Sequence, residues 1–301
     1  MLGAFVSEGR LRPIWRALIY YVTTYWLLQP VFDRIMERLP LPAGLTPVST
    51  AASELELLIV ALIVTAVLAW YEGRRIDDYG LPISQAFRGR FFEGIAVGVV
   101  SAGLVAAGMF ALGGMQIHGL ALHGGALPSF ALAWLGTNLL IGISEEVWYR
   151  SYLLQTLWRG VGFWAAAIII GLLFTADHYF YKTGENIWDC ITLFSLSVAM
   201  CYSVLRTGTL WFAVGFHVAY DYMQLFVIGT PNGSAVPAGR LLDVTFSGPA
   251  WLTGGVLGTE ASFLMYPTIA LLFVYIALRN RGRENVTPER DRVGGAIRVR
   301  V

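Results

Sequence analysis

Charge is scarce in this 301-residue chain. Asp, Glu, Lys and Arg make up 14% of it, against about 25% in a soluble domain. Hydrophobic residues make up 56%, and mean hydropathy is +0.61. That balance excludes a soluble globular fold and indicates a chain that crosses a bilayer several times. Lysine is almost missing, since twenty of the 21 basic residues are Arg. The net charge of +1 says little about partners by itself; the bilayer is the expected one, and no nucleic acid is expected. Cysteine is equally sparse: Cys190 and Cys201 lie in one apolar stretch. Two thiols so placed exclude a disulfide framework and a paired-cysteine metal site, and they read as buried free thiols.

What the chain has instead is long apolar runs. A bilayer core of ~30 Å takes about 20 helical residues to cross. Eight stretches meet that requirement: Ile14–Phe32, Glu54–Tyr71, Phe91–Met115, Phe130–Trp158, Phe163–Tyr179, Trp188–Leu205, Leu210–Ile228 and Ser262–Leu278. Pro40, Pro42 and Pro47 punctuate the first loop, Arg159-Gly160-Val161-Gly162 makes a short turn, and Pro231-Asn232-Gly233-Ser234 opens a longer loop. The first run follows Arg10, Arg12 and Arg16 like a signal peptide's basic start, but no small-residue cleavage site follows it closely. It reads as an uncleaved first span.

Arginine placement sets the expected orientation. With the amino terminus inside, the cytoplasmic flanks collect Arg10, Arg12, Arg16, Arg74, Arg75, Arg88, Arg90, Arg159, Arg206 and the seven Arg from Arg279 onward. The opposite flanks hold Arg34, Arg38, Lys182 and Arg240, a ratio of sixteen to four. The expected fold class is therefore an all-α polytopic helical bundle in the cell (inner or plasma) membrane, with about eight spans and both termini cytoplasmic. Its expected organisation is a three-helix part over 1–129, a helical core over 130–228, and an outer loop with the last span over 229–278. A basic cytoplasmic tail, expected to be disordered, occupies 279–301. No internal repeat is evident, which argues against an inverted-repeat transporter.

Against this apolar background Glu145 and Glu146, within Ile141-Gly142-Ile143-Ser144-Glu145-Glu146-Val147-Trp148-Tyr149-Arg150, demand explanation. A charged side chain at the centre of a span costs roughly 2.5–3.5 kcal/mol on insertion scales, so such an acid marks a functional site by default. His178, His217 and Asp221 recur in later apolar stretches. The fourth stretch continues through Leu153, Leu154 and Leu157 beyond the acids, and is read as one span. If the chain turns at Gly160, Glu145 and His178 lie roughly 22 and 27 Å from the same loop and come level in an antiparallel pair. Glu146 and Arg150 are i, i+4, so Arg150 can neutralise Glu146 and leave Glu145 without a fixed partner. His217 and Asp221 are also i, i+4, so Asp221 can orient the imidazole. Phe174 shares a face with His178 and can wall it from lipid. Asp177, rotated away on the same helix, reads equally as a supporting group or a bundle-facing polar residue. His118 and His123, in a Gly-rich loop, read as solvated.

One Glu with two His can hold Zn²⁺ with an open position for water, through Glu145, His178 and His217, or can supply a base with oxyanion donors. Either arrangement activates water against an amide carbonyl. There is no His-Glu-x-x-His for a site-2-type metalloprotease and no Gly-x-Ser-Gly for a rhomboid protease. Tyr220-Asp221 lacks the Gly-x-Gly-Asp partner of an aspartyl intramembrane protease.

Glu145-Glu146-x-x-x-Arg150, then Phe174-x-x-x-His178, then His217-x-x-x-Asp221 resemble the three motifs of the CPBP family. That family joins type II CAAX prenyl proteases to bacteriocin-processing and abortive-infection membrane proteins. Gly208-Thr209-Leu210-Trp211 is similar to the family too, and the resemblance covers residues ~130–228. It implies an intramembrane endopeptidase acting on a membrane-associated or lipid-modified peptide or protein. In that reading Glu145 activates water, His178 assists, His217 and Asp221 stabilise the oxyanion, and Glu146 and Arg150 hold the site together. The family carries both a zinc and a metal-free glutamate interpretation, so Zn²⁺ is a conditional cofactor. Tyr149 and Ser151 stand where the family often has Phe and Gly, and Asp221 stands where Asn is frequent. Proton relay or transport, haem ligation by His178 and His217, and an idle immunity-type scaffold are the competing classes.

Overall fold

Charged groups are packed inside the structure and apolar ones cover its outside. Arg16, Glu72, Glu146, Arg150 and Asp189 are buried, while Trp70, Leu132, Leu172 and Leu271 are exposed. Water selects the opposite arrangement; lipid selects this one. The computed structural model describes residues 6, 7 and 10–287, and these form an all-α polytopic membrane bundle.

A two-residue strand pair, β1 (Val6–Ser7) and β2 (Arg10–Leu11), precedes α1 (Pro13–Tyr21). The helix widens into a π-wound turn over Val22–Leu28 and resumes as α2 (Gln29–Met36). Then come α3 (Pro47–Glu72), α4 (Gly89–Ala111), the strand β3 (Met115–Leu120), α5 (Ala126–Arg150), α6 (Tyr152–Val161), α7 (Phe163–Tyr181), α8 (Ile187–Thr207) and α9 (Trp211–Asp221). A second π-wound segment, Tyr222–Ile228, continues α9; β4 (Leu242–Phe246), the single turn α10 (Ala250–Thr253) and α11 (Met265–Arg279) complete the chain. Among the described residues five stretches are long and apolar enough to span a membrane: α3, α4, α5 with α6, α7 and α8. The α1–α2 segment, α9 with its continuation, and the shorter α11 are the other three apolar segments expected from the sequence. Of the expected basic tail, residues 288–301 lie outside the described residues.

Local chemistry explains the ends that matter to the site. Thr46 and Ser49 form a reciprocal capping box at the start of α3, with Pro47 in the first turn. Asn186 caps α8 by accepting from the amides of Trp188 at 3.0 Å and Asp189 at 3.3 Å. Helix α4 meets α9 at backbone distance. A Cβ on Gly94 would strike the Phe212 carbonyl, and one on Gly215 would strike the Phe91 carbonyl. Such contact needs glycine on both helices.

Three expectations need correction. The fourth apolar stretch is not one helix: the backbone breaks at Ser151 (φ −78°, ψ −107°) between α5 and α6. Ser151 is buried and its hydroxyl donates to the Tyr79 carbonyl at 3.0 Å, so a tertiary bond fixes a break that no Gly or Pro announces. The third helix ends at Ala111, and Met115 enters β3 instead. The loop after Pro231 is partly folded, because β4 pairs antiparallel with β3 from Met115 opposite Phe246 to Leu120 opposite Leu242.

Candidate active site

The side chains that converge come from α3, α5, α7, α9 and a loop. On α5 the Arg150 guanidinium sits 2.6 Å from Glu146 Oε1, and both side chains are buried. Arg150 also donates to Ser197 Oγ on α8 at 2.8 Å and lies over the Phe174 ring, 5.2 Å from its centroid. The i, i+4 pair inferred from the sequence is therefore cross-braced to two further helices.

His217 on α9 is surrounded by carboxylates. Its Nδ1 lies 3.2 Å from Glu146 Oε1, within hydrogen-bonding distance. Its Nε2 lies 3.6 Å from Glu145 Oε2 and 3.5 Å from Asp221 Oδ2. These last distances exceed a direct hydrogen bond and are within ion-pair reach. Since a carboxylate only accepts, the contact with Glu146 assigns a proton to Nδ1. Glu145 Oε2 and Glu146 Oε2 are buried and accept no hydrogen bond from the protein.

His178 lies in the last turn of α7. Its Nδ1 is 2.9 Å from the Phe174 carbonyl, which can only accept, so Nδ1 carries the proton and a neutral ring presents Nε2 as an acceptor. The Phe174 and His178 rings are 4.4 Å apart between centroids, the wall expected of Phe174. A cavity of about 140 Å³ is lined by Glu145, Glu146, Arg150, His178, His217 and Asp221 together. All six residues singled out in the sequence thus face one space.

Asp177 is directed elsewhere: Tyr149 donates its phenolic hydrogen to the Asp177 carboxylate. His118 is exposed on β3, 2.9 Å from Thr245 Oγ1, away from the cavity. Both cysteines are free thiols, Cys201 buried and Cys190 partly so.

Sequence reasoning missed two acids that line the same cavity. Glu54, in the second turn of α3, accepts a hydrogen bond from the Ser144 hydroxyl beside Glu145. Glu260 stands in the turn Thr259–Ala261 and lies 3.0 Å from Lys182 Nζ. Lys182, just past α7, also reaches Glu185 at 3.6 Å and Asp189 at 3.9 Å. Burial draws the Lys182 ammonium down, but the charges of Glu260, Asp189 and Glu185 outweigh it and hold it above the ordinary 10.5. Burial likewise raises Glu260, but Lys182, by charge and hydrogen bond, brings it below the ordinary 4.5. Glu54 had a sequence signal, an acid at the head of an apolar run. Glu260 had none.

Among the described residues no three His, Cys, Asp or Glu side chains are grouped as ligands of one ion would be. The donors Glu145, His178 and His217 thus offer no ready-made zinc set, and His217 is engaged through both nitrogens by acids.

Residues 127–223, about a third of the chain, match the family model of the type II CAAX prenyl endopeptidase Rce1-like proteins. The match covers α5 to the start of the segment after α9, and with it every motif residue lining the cavity. It agrees with the CPBP resemblance and supports, in general terms, a CAAX-type endopeptidase embedded in the membrane. No curated protein matches the chain.

Proposed function

We propose that the protein is an intramembrane endopeptidase that hydrolyses a peptide bond of a membrane-associated or lipid-modified chain with water activated by Glu145. The observation that carries this reading is the shared cavity, in which Glu145, whose Oε2 accepts no hydrogen bond, faces a histidine flanked by two other acids.

The chemistry follows from the positions. Glu145 takes a proton from water, and the resulting hydroxide attacks the scissile carbonyl carbon. The neutral His178 ring offers Nε2 to orient that water. As the carbonyl oxygen gains charge, Nε2–H of protonated His217 donates to it, and Glu146 and Asp221 stabilise the cationic ring. The tetrahedral carbon then expels the amine, which takes the proton held by Glu145. One C–O bond forms, one C–N bond breaks, and the proton passes from water to leaving group. Glu146 and Arg150 position His217 and do not react.

The test is cleavage of an internally quenched peptide library, with and without a prenylated cysteine, by purified protein in lipid nanodiscs. Glu145→Gln and His178→Ala are expected to abolish turnover while leaving unfolding unchanged. Normal cleavage by either variant would refute the proposal. Metal analysis of the same preparation, paired with a chelator, decides between the glutamate reading and the zinc reading.

A further inference from the structure

We infer that the cavity opens on the extracytoplasmic side of the membrane, so that the chain being cut is presented from that face. The inference rests on the proteolytic reading for what enters, and on geometry and charge for where.

The mouth is built at one end of the bundle. Its lining includes Leu45 just before α3, Thr50 in the first turn of α3, Lys182 just past α7, Asn232 in the loop after α9, and Glu260. An open groove of about 440 Å³ shares Leu45, His178, Lys182 and Asn232 with the cavity and adds Tyr181 and Gly233. The route outward therefore runs between the 37–46 loop, the 182–186 loop and the 229–264 segment. Those segments are tied to one another at that end. Lys182 bridges to Glu260 at 3.0 Å, the Trp134 indole donates to the Ala238 carbonyl at 2.9 Å, and β3 pairs with β4.

The opposite end holds the arginine. Arg10 donates to the Glu72 carbonyl at 3.1 Å, Arg159 lies 3.5 Å from the Glu72 carboxylate, and Arg206 donates to the Asn280 carbonyl at 2.6 Å. These contacts gather the start of α1 with the ends of α3 and α6, and the end of α8 with that of α11, away from the mouth. Twelve described arginines flank this end, from Arg10 to Arg283, whereas the mouth end carries Arg34, Arg38, Lys182 and Arg240. Short basic loops are retained in the cytoplasm, and these loops are short enough for the rule to hold. The arginine-rich end is then cytoplasmic and the mouth faces away from it. The substrate class that fits is a polypeptide with its scissile segment at or beyond the outer leaflet, such as a translocated tail or a secreted peptide. A cytosolic carboxy-terminal tail does not fit.

The full chain, expressed in the inner membrane of a bacterial host with Cys190→Ala, decides the orientation by labelling of single introduced cysteines. Cys201 remains as a buried control. Thr183→Cys and His123→Cys, both at exposed positions at the mouth end, are expected to react with a membrane-impermeant maleimide in intact spheroplasts. Ser84→Cys, exposed between α3 and α4, is expected to react only after permeabilisation. The reverse pattern overturns the inference. The quenched peptide library is then applied to sealed vesicles of each orientation, and cleavage is expected at least tenfold faster in right-side-out ones. Equal or faster cleavage by inverted vesicles also overturns it. No cleavage by either, with the labelling as expected, sinks the proteolytic reading and leaves the orientation standing.

Discussion

Removing the Arg150 guanidinium separates holding from reacting at this site. Arg150 and Glu146 are 2.6 Å apart, with side-chain exposures of 2% and 0%. In Arg150→Met the Glu146 carboxylate keeps His217 Nδ1 at 3.2 Å as its one hydrogen-bond partner, and its other oxygen already has none. Stripping one member from a buried pair costs about 3–5 kcal/mol, most of it the uncompensated charge left behind. Glu146→Gln leaves Arg150 with Ser197 and the Phe174 ring, so it destabilises in the same direction. The double variant Glu146→Gln/Arg150→Met removes both charges and is expected to recover roughly 2–3 kcal/mol of the summed loss. Unfolding of the purified proteins in mixed micelles, read by tryptophan fluorescence against denaturant, measures the cycle. A double variant as unstable as the two singles combined, or an Arg150→Met protein within about 1 kcal/mol of wild type, would show that the pair does not brace the bundle.

Three further outcomes are expected. Gly215→Ala drives a Cβ into the Phe91 carbonyl on α4, and is expected to destabilise by about 1–3 kcal/mol or more because backbone cannot yield as a side chain can; the same micelle unfolding checks it. Asp221→Asn removes the charge that supports protonated His217 but keeps a carbonyl oxygen beside its Nε2 and is expected to retain cleavage within about tenfold, whereas Asp221→Leu removes the polar group and loses on the order of 10²-fold or more in kcat. The mouth clamp is expected to release at the pH extremes. Glu260 titrates below its ordinary 4.5 when folded, so its contribution is complete above that value and fades as pH falls through the lower one. Lys182 titrates above its ordinary 10.5, so its contribution is complete below that value and fades as pH rises through the higher one. Hydrogen-exchange protection over 182–186 and 255–262, taken relative to the intrinsic rate at each pH, is expected to be flat between about pH 5 and 10, and Lys182→Met is expected to abolish its fall on either side.

What could be read in advance follows from where each residue's partner lies. Glu146 with Arg150, Phe174 with His178, and His217 with Asp221 have partners one helical turn away, so helix geometry alone reveals them. Their charge stands out because an apolar span has no other reason to carry it. The residues that escaped notice have distant partners. Ser151 breaks α5 from α6 through the Tyr79 carbonyl. Lys182 meets Glu260 across 78 positions, and β3 meets β4 from the far side of five helices. Each needs the fold before it has a meaning.

Adjacency in the chain, by contrast, counts for little. Asp177 and His178 are neighbours in sequence, but about 100° of helical rotation sends the first to the Tyr149 hydroxyl and the second to the cavity. Glu145 and Glu146 divide in the same manner. One step along α5 turns Glu146 to Arg150 and leaves Glu145 toward His217 Nε2. Two identical side chains thereby acquire different duties. In the proposed mechanism Glu146, clamped by Arg150, holds the histidine, and Glu145, 3.6 Å from His217 and beyond hydrogen-bonding distance of it, is the acid placed to take a proton from water.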